Sequence, residues 1–476
     1  MEGAWKSTKP KKPLPPCIGM TVAFIFRRDY RLIDNTALNQ ALVSGEEVIP
    51  LFIFDPRQQR DTNEYFAEHS FRFLVKSLEE VDEALKKQDG KLHVYQDQPE
   101  KIIEFLIKEK KVTAVYVNKD YTPFSQKRDE QLQKVCEEHK ATFKSYEDTL
   151  LHPVATIKNG EGKPYRVFTP FYKEGLKHDI AVPHTEKGTF ARIRDEHQIS
   201  LDDIEIKKVE MAVTPGRTAA LNILENLKDY SDYKQKRDFP ALDSTTHLSA
   251  HHKFGTVSAR EVAHFIMNTF SKEHPLLRQL YWREFYYAIS YHFPQVYGHA
   301  FNDNFEHVEW ENDKEKFNRW CEGKTGFPIV DAGMRELTTT GYMHNRVRMI
   351  TASFLTKDLH IDWRKGEKFF AQYLIDYDPA QNNGNWQWTA STGADGAPYF
   401  RIFSPWRQQE RFDPDCEYIK KWVPELKDLD AKAIHGMEKN WPLSLSGSDY
   451  PKPMLDHREE SEKAKTYYKV AKESSQ

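Results

Sequence analysis

The sequence predicts an α/β N-terminal domain built on a doubly wound, Rossmann-like parallel sheet, followed by an all-α C-terminal domain. Three observations predict it. Between residues 21 and 150, short apolar runs alternate with segments of helical spacing, the pattern of a parallel sheet covered on both faces. From about residue 211 onward, apolar residues recur at helical spacing and strand-like alternation is scarce. The length, 476 residues, exceeds what one ordinary core accommodates.

Residues 1–20 carry Lys6, Lys9, Lys11, Lys12 and four prolines, and read as a disordered basic arm. Its Lys9-Pro-Lys-Lys12 run fits a solvated tail or a nuclear address. Residues 21–26 are largely apolar and predict a buried strand. The turn Asp34-Asn35 and a helix from Thr36 follow. Further strands are expected at 48–54, 92–95, 114–117 and 142–146, with helices at 68–87, 102–110 and 126–139 between them. No GxGxxG follows any strand, so a dinucleotide fingerprint is absent, and a ligand of this sheet belongs beyond the carboxyl ends of its strands. Residues 151–210 are charged and turn-rich and read as an interdomain linker. Helices are expected at 219–227, 259–270, 276–291, 332–339, 344–357 and 367–375 within a helical domain over 211–450, before a charged tail at 451–476.

The formal net charge is −3 and the isoelectric point about 6.7, so any nucleic-acid contact must come from a local patch. Residues 341–411 hold nine Lys/Arg against seven Asp/Glu, a slight local excess of that kind. Cys17, Cys136, Cys321 and Cys416 stand far apart with no CxxC pair, which predicts free thiols in a reducing intracellular compartment, cytoplasm or nucleus, and no metal site. No apolar run reaches membrane length and no signal peptide is read.

The most informative stretch is 376–412. It holds Asp376 and Asp378 at Asp-x-Asp spacing, the amides Asn382 and Asn383, the alternation Trp386-Gln387-Trp388, and the run Pro398-Tyr-Phe-Arg401. So many large aromatics in polar, Gly-rich sequence suit flat faces for a planar cofactor or an unstacked base. Equally, by itself, the stretch reads as a loop whose tryptophans plug a helical core.

Other segments decide between these. Trp282-Arg-Glu-Phe-Tyr286, Glu322-Gly-Lys-Thr-Gly-Phe-Pro-Ile-Val-Asp331, Met343-His-Asn-Arg-Val-Arg-Met349 and Asp362-Trp-Arg364 precede it in order, and Arg27-Arg-Asp-Tyr-Arg-Leu-Ile-Asp-Asn35 opens the N-terminal half. Through them the chain resembles the photolyase/cryptochrome family, and within it the class I cyclobutane pyrimidine dimer (CPD) photolyases. The likeness covers much of the C-terminal half and is looser in the N-terminal half.

The resemblance implies one FAD per chain in the helical domain. Thr245, Thr246, His247, Leu248 and Ser249 match the segment on its phosphates, with Tyr233 stacking nearby. Gln279, Asn345, Arg348, Asp376, Tyr377, Asp378 and Asn382 match the remaining cofactor positions. Arg348 and Asp376 pair along the flavin ring, and Asp378 accepts from the flavin or its ribose. Asn382 faces flavin N5, where an amide, unlike a carboxylic acid, favours the fully reduced anionic flavin. Trp310, Trp363 and Trp386 match a tryptophan electron-transfer chain. The implied partner is UV-damaged DNA, and photolyases are among the enzymes known to act on a flipped nucleotide. Trp282 and Trp388 match the walls of the lesion pocket, Asn345 and Met349 its floor. Arg237, Arg346 and Arg401 match phosphate clamps, whose binding salt should weaken. The implied reaction is light-driven: reduced FAD passes an electron to the dimer, the ring splits and the electron returns.

The chain also departs from its relatives. His247 replaces an Arg that most members carry, which weakens one expected phosphate contact. Gln279 replaces the Glu of class I enzymes, an amide that donates to a thymine carbonyl but cannot act as an acid. The segment 118–129 departs from the Asn-Glu pair of folate-binding members, so the second, antenna chromophore is open between methenyltetrahydrofolate and a deazaflavin. Two other readings compete. A cryptochrome-like photosensor would keep FAD and the tryptophans without repair, and often carries a long C-terminal extension, in contrast to the short tail here. A (6-4) photolyase is supported by Gln279 and opposed by Asn345 and Met349, where those enzymes have histidines. A monomer without a membrane partner is expected.

Overall fold

β1 (Thr21–Ile25) is the centre of the N-terminal sheet, and its residues alternate strictly between two cores. Val22 and Phe24 face one side, against α1 (Thr36–Leu42) and α2 (Glu68–Lys86). Ala23 and Ile25 face the other, against α3 (Pro99–Lys110) and α4 (Pro123–Glu138). Burial on both faces is why the strand reads as an unbroken apolar run. With β2 (Glu47–Ile53), β3 (His93–Tyr95), β4 (Val112–Asn118), β5 (Thr142–Tyr146) and β6 (Gln198–Ile199), the strand order is β5-β4-β1-β2-β3-β6. The first five are parallel, and β6 is antiparallel to β3. The computed structural model describes residues 20–445 and 449–474, so the basic arm and Cys17 lie outside the described residues apart from Met20.

β6 was not expected from sequence. It belongs to the linker, which also supplies α5 (Phe168–Gly175). β3 pairs only with Leu51 to Ile53 of β2, and the linker fills the uncovered start: Val48 N donates to Thr189 O at 2.9 Å and Ala191 N to Val48 O at 2.8 Å.

The C-terminal helices are α6 (Arg217–Glu225), α7 (Tyr233–Lys236), α8 (Leu248–Phe254), α9 (Ala259–Thr269), α10 (Pro275–His292), α11 (Lys314–Cys321) and α12 (Pro328–Thr340). They continue as α13 (Asn345–Ser353), α14 (Trp363–Ala371), α15 (Pro379–Thr389), α16 (Pro405–Phe412), α17 (Glu417–Trp422), α18 (Ala431–His435) and α19 (His457–Ser474).

Three expectations are corrected here. The helix predicted over 344–357 ends at Ser353 and widens into a π-helical turn, Phe354–Asp358, which carries Lys357 and Asp358 into the interior. The amide- and Gly-rich start of the 376–412 stretch is helical. Asp378 caps α15 by accepting from Gln381 N, and Pro379 takes its first turn, where no N–H is needed. Gly384 is required there, because a Cβ would lie 2.1 Å from the Tyr286 ring of α10. Much of the charged tail is α19, whose Glu460, Ser461, Ala464, Tyr468 and Ala471 form one buried face. That spacing was present in the sequence and was masked by high charge.

Among the described residues Cys136, Cys321 and Cys416 are free, and burial pushes each thiol up to about 12. Among the described residues no helix is long and apolar enough to cross a membrane.

Candidate active site

α13, α14 and α15 bring the main candidates together. Arg348 on α13 reaches Asp376, just before α15, with a two-pronged fork: Nη1 to Oδ1 at 3.1 Å and Nη2 to Oδ2 at 3.0 Å. Its Nε donates to Met343 O at 2.7 Å, and the guanidinium lies 5.3 Å from the Tyr342 ring centre. Burial alone would lower the Arg348 pKa, but Asp376, with Tyr342 and Glu336, outweighs it and the net shift is upward. The pair is a fixed unit.

Asn382 sits one turn into α15. Its Nδ2 donates to Glu367 O at 3.0 Å and to Glu367 Oε1 at 3.1 Å. A main-chain carbonyl only accepts, so the amide nitrogen must face it, which turns Asn382 Oδ1 the other way. Burial pushes the Glu367 carboxyl up to about 7. Sequence reasoning missed Glu367. Its only signal was a carboxylate on the predicted 367–375 helix, indistinguishable from a surface residue.

Asp378 has protein partners that the sequence did not point to. Its Oδ2 accepts from Tyr287 OH at 2.5 Å and from the Arg28 guanidinium of the α/β domain. Burial alone would raise its carboxyl, but Arg28, then Arg283 and Lys253, hold it well below the carboxylate range. These bonds tie the two domains together, and the ring of neighbouring Tyr377 stacks at 6.0 Å on Tyr65 of the α/β domain.

The Thr245–Ser249 loop turns at His247, which is left-handed (φ 54°) and caps α8. Its Nε2 meets Asp243 Oδ1 at 2.8 Å and its ring stacks at 4.5 Å on Tyr342. Thr246 Oγ1 accepts from Leu248 N at 3.4 Å, and Thr245 Oγ1 lies 3.5 Å from Tyr342 OH. The ring nitrogens His247 Nδ1, His251 Nε2 and His252 Nε2 are buried without a protein partner. Burial, then His247, lowers His251 to about 4, and burial brings His344 to about 4. The His251 and His344 rings are neutral at pH 7, and the unmet ring nitrogens of His247, His251 and His252 are hydrogen-bonding atoms that the polar groups of a dinucleotide would satisfy. The residues therefore fit FAD. Tyr233 is buried beneath Arg237, whose guanidinium lies 5.7 Å from its ring centre.

On the neighbouring surface, Trp282 stacks face to face on Phe168 of α5 at 3.6 Å and 7°. Gln279, one turn earlier, donates Nε2 to Pro275 O at 3.4 Å. Exposed Asn345 and half-buried Met349 lie one turn apart on one face of α13. Trp388 ends the same helix that carries Asn382, and its carbonyl accepts from Ala397 N at 3.1 Å, pinning the loop that leads to exposed Arg401. Arg346 pairs with Asp238 at 2.9 Å and lies 4.4 Å from the Phe412 ring centre.

Residues 276–470 match the family model described as the FAD binding domain of DNA photolyase, and residues 22–187 match the one described as DNA photolyase. The chain belongs to the DNA photolyase family. A deoxyribodipyrimidine photo-lyase from Agrobacterium fabrum is 37% identical over 478 residues, covering 94% of this chain and 98% of the relative. An archaeal photolyase from Sulfolobus tokodaii, solved with two FAD molecules, superposes with a TM-score of 0.86 at 42% identity, covering 95% of this chain and all of that one. A bacterial class III photolyase from Agrobacterium tumefaciens superposes with a TM-score of 0.88 at 35% identity, covering 98% of this chain and 100% of the other. The photolyase fold is thus present over nearly the whole chain, while membership of class I is not established by these likenesses.

In this photolyase, Trp386 and Trp363 are buried in one core, with Trp310 packed at its edge. Gly366 makes room for Trp386, since a Cβ there would lie 2.2 Å from the indole. The sequence did not single out Trp320, which is fully buried, 6.3 Å from Trp386 and 5.5 Å from Phe369. A crevice of about 440 Å³ opens beyond the carboxyl ends of β1 and β2, where a ligand of this sheet was expected. Arg27, Arg28, Arg57, Arg128 and Lys253 line it. Burial lowers the Lys253 amine to about 8. Asn118 is fully used in packing: it bonds Asp29 at 2.6 Å, Asn35 at 2.8 Å and Ala37 N at 2.9 Å.

Proposed function

We propose that the protein is a deoxyribodipyrimidine photolyase that reverses cyclobutane pyrimidine dimers in DNA under light, acting on a dimer flipped out of the duplex. Bound FAD, in its reduced state, supplies the electron that opens the dimer and receives it back. The observation that carries this reading is the orientation of Asn382. With its nitrogen committed to Glu367, the side chain presents an acceptor, Oδ1, on the side that the resemblance gives to flavin N5. An acceptor there holds a proton on N5 rather than delivering one.

The other residues bind and orient. The fork of Arg348 and Asp376 supports a fixed guanidinium beside the ring system. The hydroxyls of Thr245, Thr246 and Ser249, with the unmet histidine nitrogens, would hold the diphosphate end. Phe168 locks one face of Trp282, which supports a rigid indole as one wall of the lesion pocket, with Trp388 as the other wall that the resemblance gives. Asn345 and Met349 form a floor of one amide and one thioether, and support the dimer lesion and the class I subset. Arg237, Arg346 and Arg401 clamp phosphates around the pocket. The cationic crevice suits a second, antenna chromophore with anionic groups. The reading takes the protein as a monomer in a reducing compartment, cytoplasm or nucleus.

Duplex oligonucleotides carrying one defined lesion test this, with FAD-loaded, reduced protein in light and in the dark. Loss of the cyclobutane dimer in light alone, with the (6-4) photoproduct retained, is expected. Loss of the (6-4) photoproduct instead overturns the lesion reading. Loss of neither, with flavin bound, points to a photosensor.

A further inference from the structure

Among the described residues, one grouping of an imidazole and two carboxylates has its ligand atoms close enough to share a metal ion. Glu311, His360 and Glu460 each offer one such atom, and these lie within 4.8 Å of one another. They come from three segments: the loop before α11, the turn before α14 and the first turn of α19. His360 and Glu460 stand 100 positions apart, so no ligand spacing was readable in the sequence. No cysteine is among them.

Asn312 ties the first two segments together. Its main-chain N–H donates to His360 O at 3.3 Å, and its Oδ1 accepts from Asp362 N at 3.1 Å. His360 is 1% exposed and Glu460 7%, so two of the three groups are interior. One oxygen of each carboxylate is taken by a lysine: Lys316 Nζ donates to Glu311 Oε2 at 3.2 Å and Lys463 Nζ to Glu460 Oε1 at 2.7 Å. The other oxygens remain. Glu460 Oε2 lies 2.7 Å from His360 Nε2, and Glu311 Oε1 accepts from Tyr467 OH at 3.0 Å. Hydrogen bonds of this kind orient the carboxylates of metal sites. Asp358, two residues before His360, is fully buried and leaves Oδ2 without a partner. It lies near enough to Glu460 for the two charges to repel. Unmatched negative charge in an interior is unfavourable, and a cation there relieves it.

We propose that Glu311, His360 and Glu460 bind one divalent transition-metal ion of the zinc class, which clamps α19 to the loop before α11 and the turn before α14. Tetrahedral bonds of roughly 2.0–2.2 Å set neighbouring ligand atoms roughly 3.3 Å apart. Atoms within 4.8 Å of one another reach that spacing by closing about 1.5 Å at most. The ion replaces the hydrogen bond between His360 and Glu460 with two coordinate bonds, and His360 binds as neutral imidazole through Nε2. A water takes the fourth position. The imidazole selects zinc over magnesium and calcium, which prefer oxygen ligands alone. The proposal does not depend on the flavin.

Calorimetric titration of zinc chloride into the full-length, tag-free protein, flavin in place and stripped of metals with EDTA, tests this. One zinc per chain is expected, undisturbed by a large excess of magnesium. Glu311→Gln, at an exposed position, and His360→Gln should each weaken binding about tenfold or more. Glu315→Gln, on α11 outside the grouping, should leave it unchanged. Zinc should raise the melting temperature of the unaltered protein and not that of Glu311→Gln. X-ray absorption at the zinc edge should show one imidazole among oxygen ligands, which decides the matter even if His360→Gln does not fold. Absence of zinc binding overturns the proposal. So does binding of equal strength in either variant, the mark of an adventitious ion only, or a zinc shell without imidazole.

Discussion

Asn382 is held by Glu367 twice, through the main-chain carbonyl at 3.0 Å and through the carboxyl at 3.1 Å. The first bond fixes which way the amide points, and the second places a titratable group directly behind it. Because burial pushes that carboxyl up to about 7, the pair changes character near neutral pH.

Glu367 should therefore reveal itself in a stability profile. Its folded pKa is above the unfolded value, so the folded state binds the extra proton and stability falls as pH rises from about 4.5 to about 7. Glu367→Gln removes that titration. Relative to the unaltered protein, the variant should gain up to about 3 kcal/mol between pH 4.5 and pH 8. Urea unfolding at the two pH values measures the difference, and an equal offset at both would mean that the carboxyl is not buried as described.

The fork of Arg348 and Asp376 should matter to flavin content more than to fold. Asp376→Asn leaves the guanidinium without its counter-charge, at a cost of about 2 kcal/mol. The flavin-to-protein ratio after purification should drop. Arg348→Lys should not restore it, since an ammonium cannot form the two parallel bonds.

Arg28 and Asp378 join the domains. Arg28→Ala strands a buried carboxylate and should destabilise the protein by about 3 kcal/mol at pH 7. The Asp378 carboxyl is held low, so its contribution is present above about pH 4 and is lost as pH falls below that. The gap between variant and unaltered protein should shrink in acid, as read from thermal melts at pH 7 and pH 3.

The sheet and most long helices were legible in the sequence, because burial on two faces and on one face leave distinct periods. Val22 to Ile25 and the Leu78, Val81 and Leu85 face of α2 are examples. The pairing of Arg348 with Asp376 was also readable, but only through resemblance. The pairing of Asp378 with Arg28 was not readable, because Arg28 is 350 positions away and lies in the other domain. Glu367 and Trp320 carried no local mark: a lone carboxylate looks like surface and a lone tryptophan like core until α14 folds against α15. β6 is two residues long, too short to show a period.

Trp320 predicts redundancy in photoreduction. With Trp386 flanked by a second buried indole at 6.3 Å, Trp363→Phe alone should leave part of the light-driven flavin reduction. The double variant with Trp320→Phe should abolish it. Complete loss with Trp363→Phe alone would remove Trp320 from the path.

Gln279→Glu restores the carboxylate found in class I enzymes and should raise dimer repair per photon. No gain would mean that the pocket already compensates for the amide.

The most direct check on the flavin cradle of α13, α14 and α15 is the visible spectrum of the purified protein after incubation with FAD. The account predicts a flavin band corresponding to one FAD per chain, reduced several-fold in Asp376→Asn. A protein that stays colourless after reconstitution, while folded by circular dichroism, would contradict it.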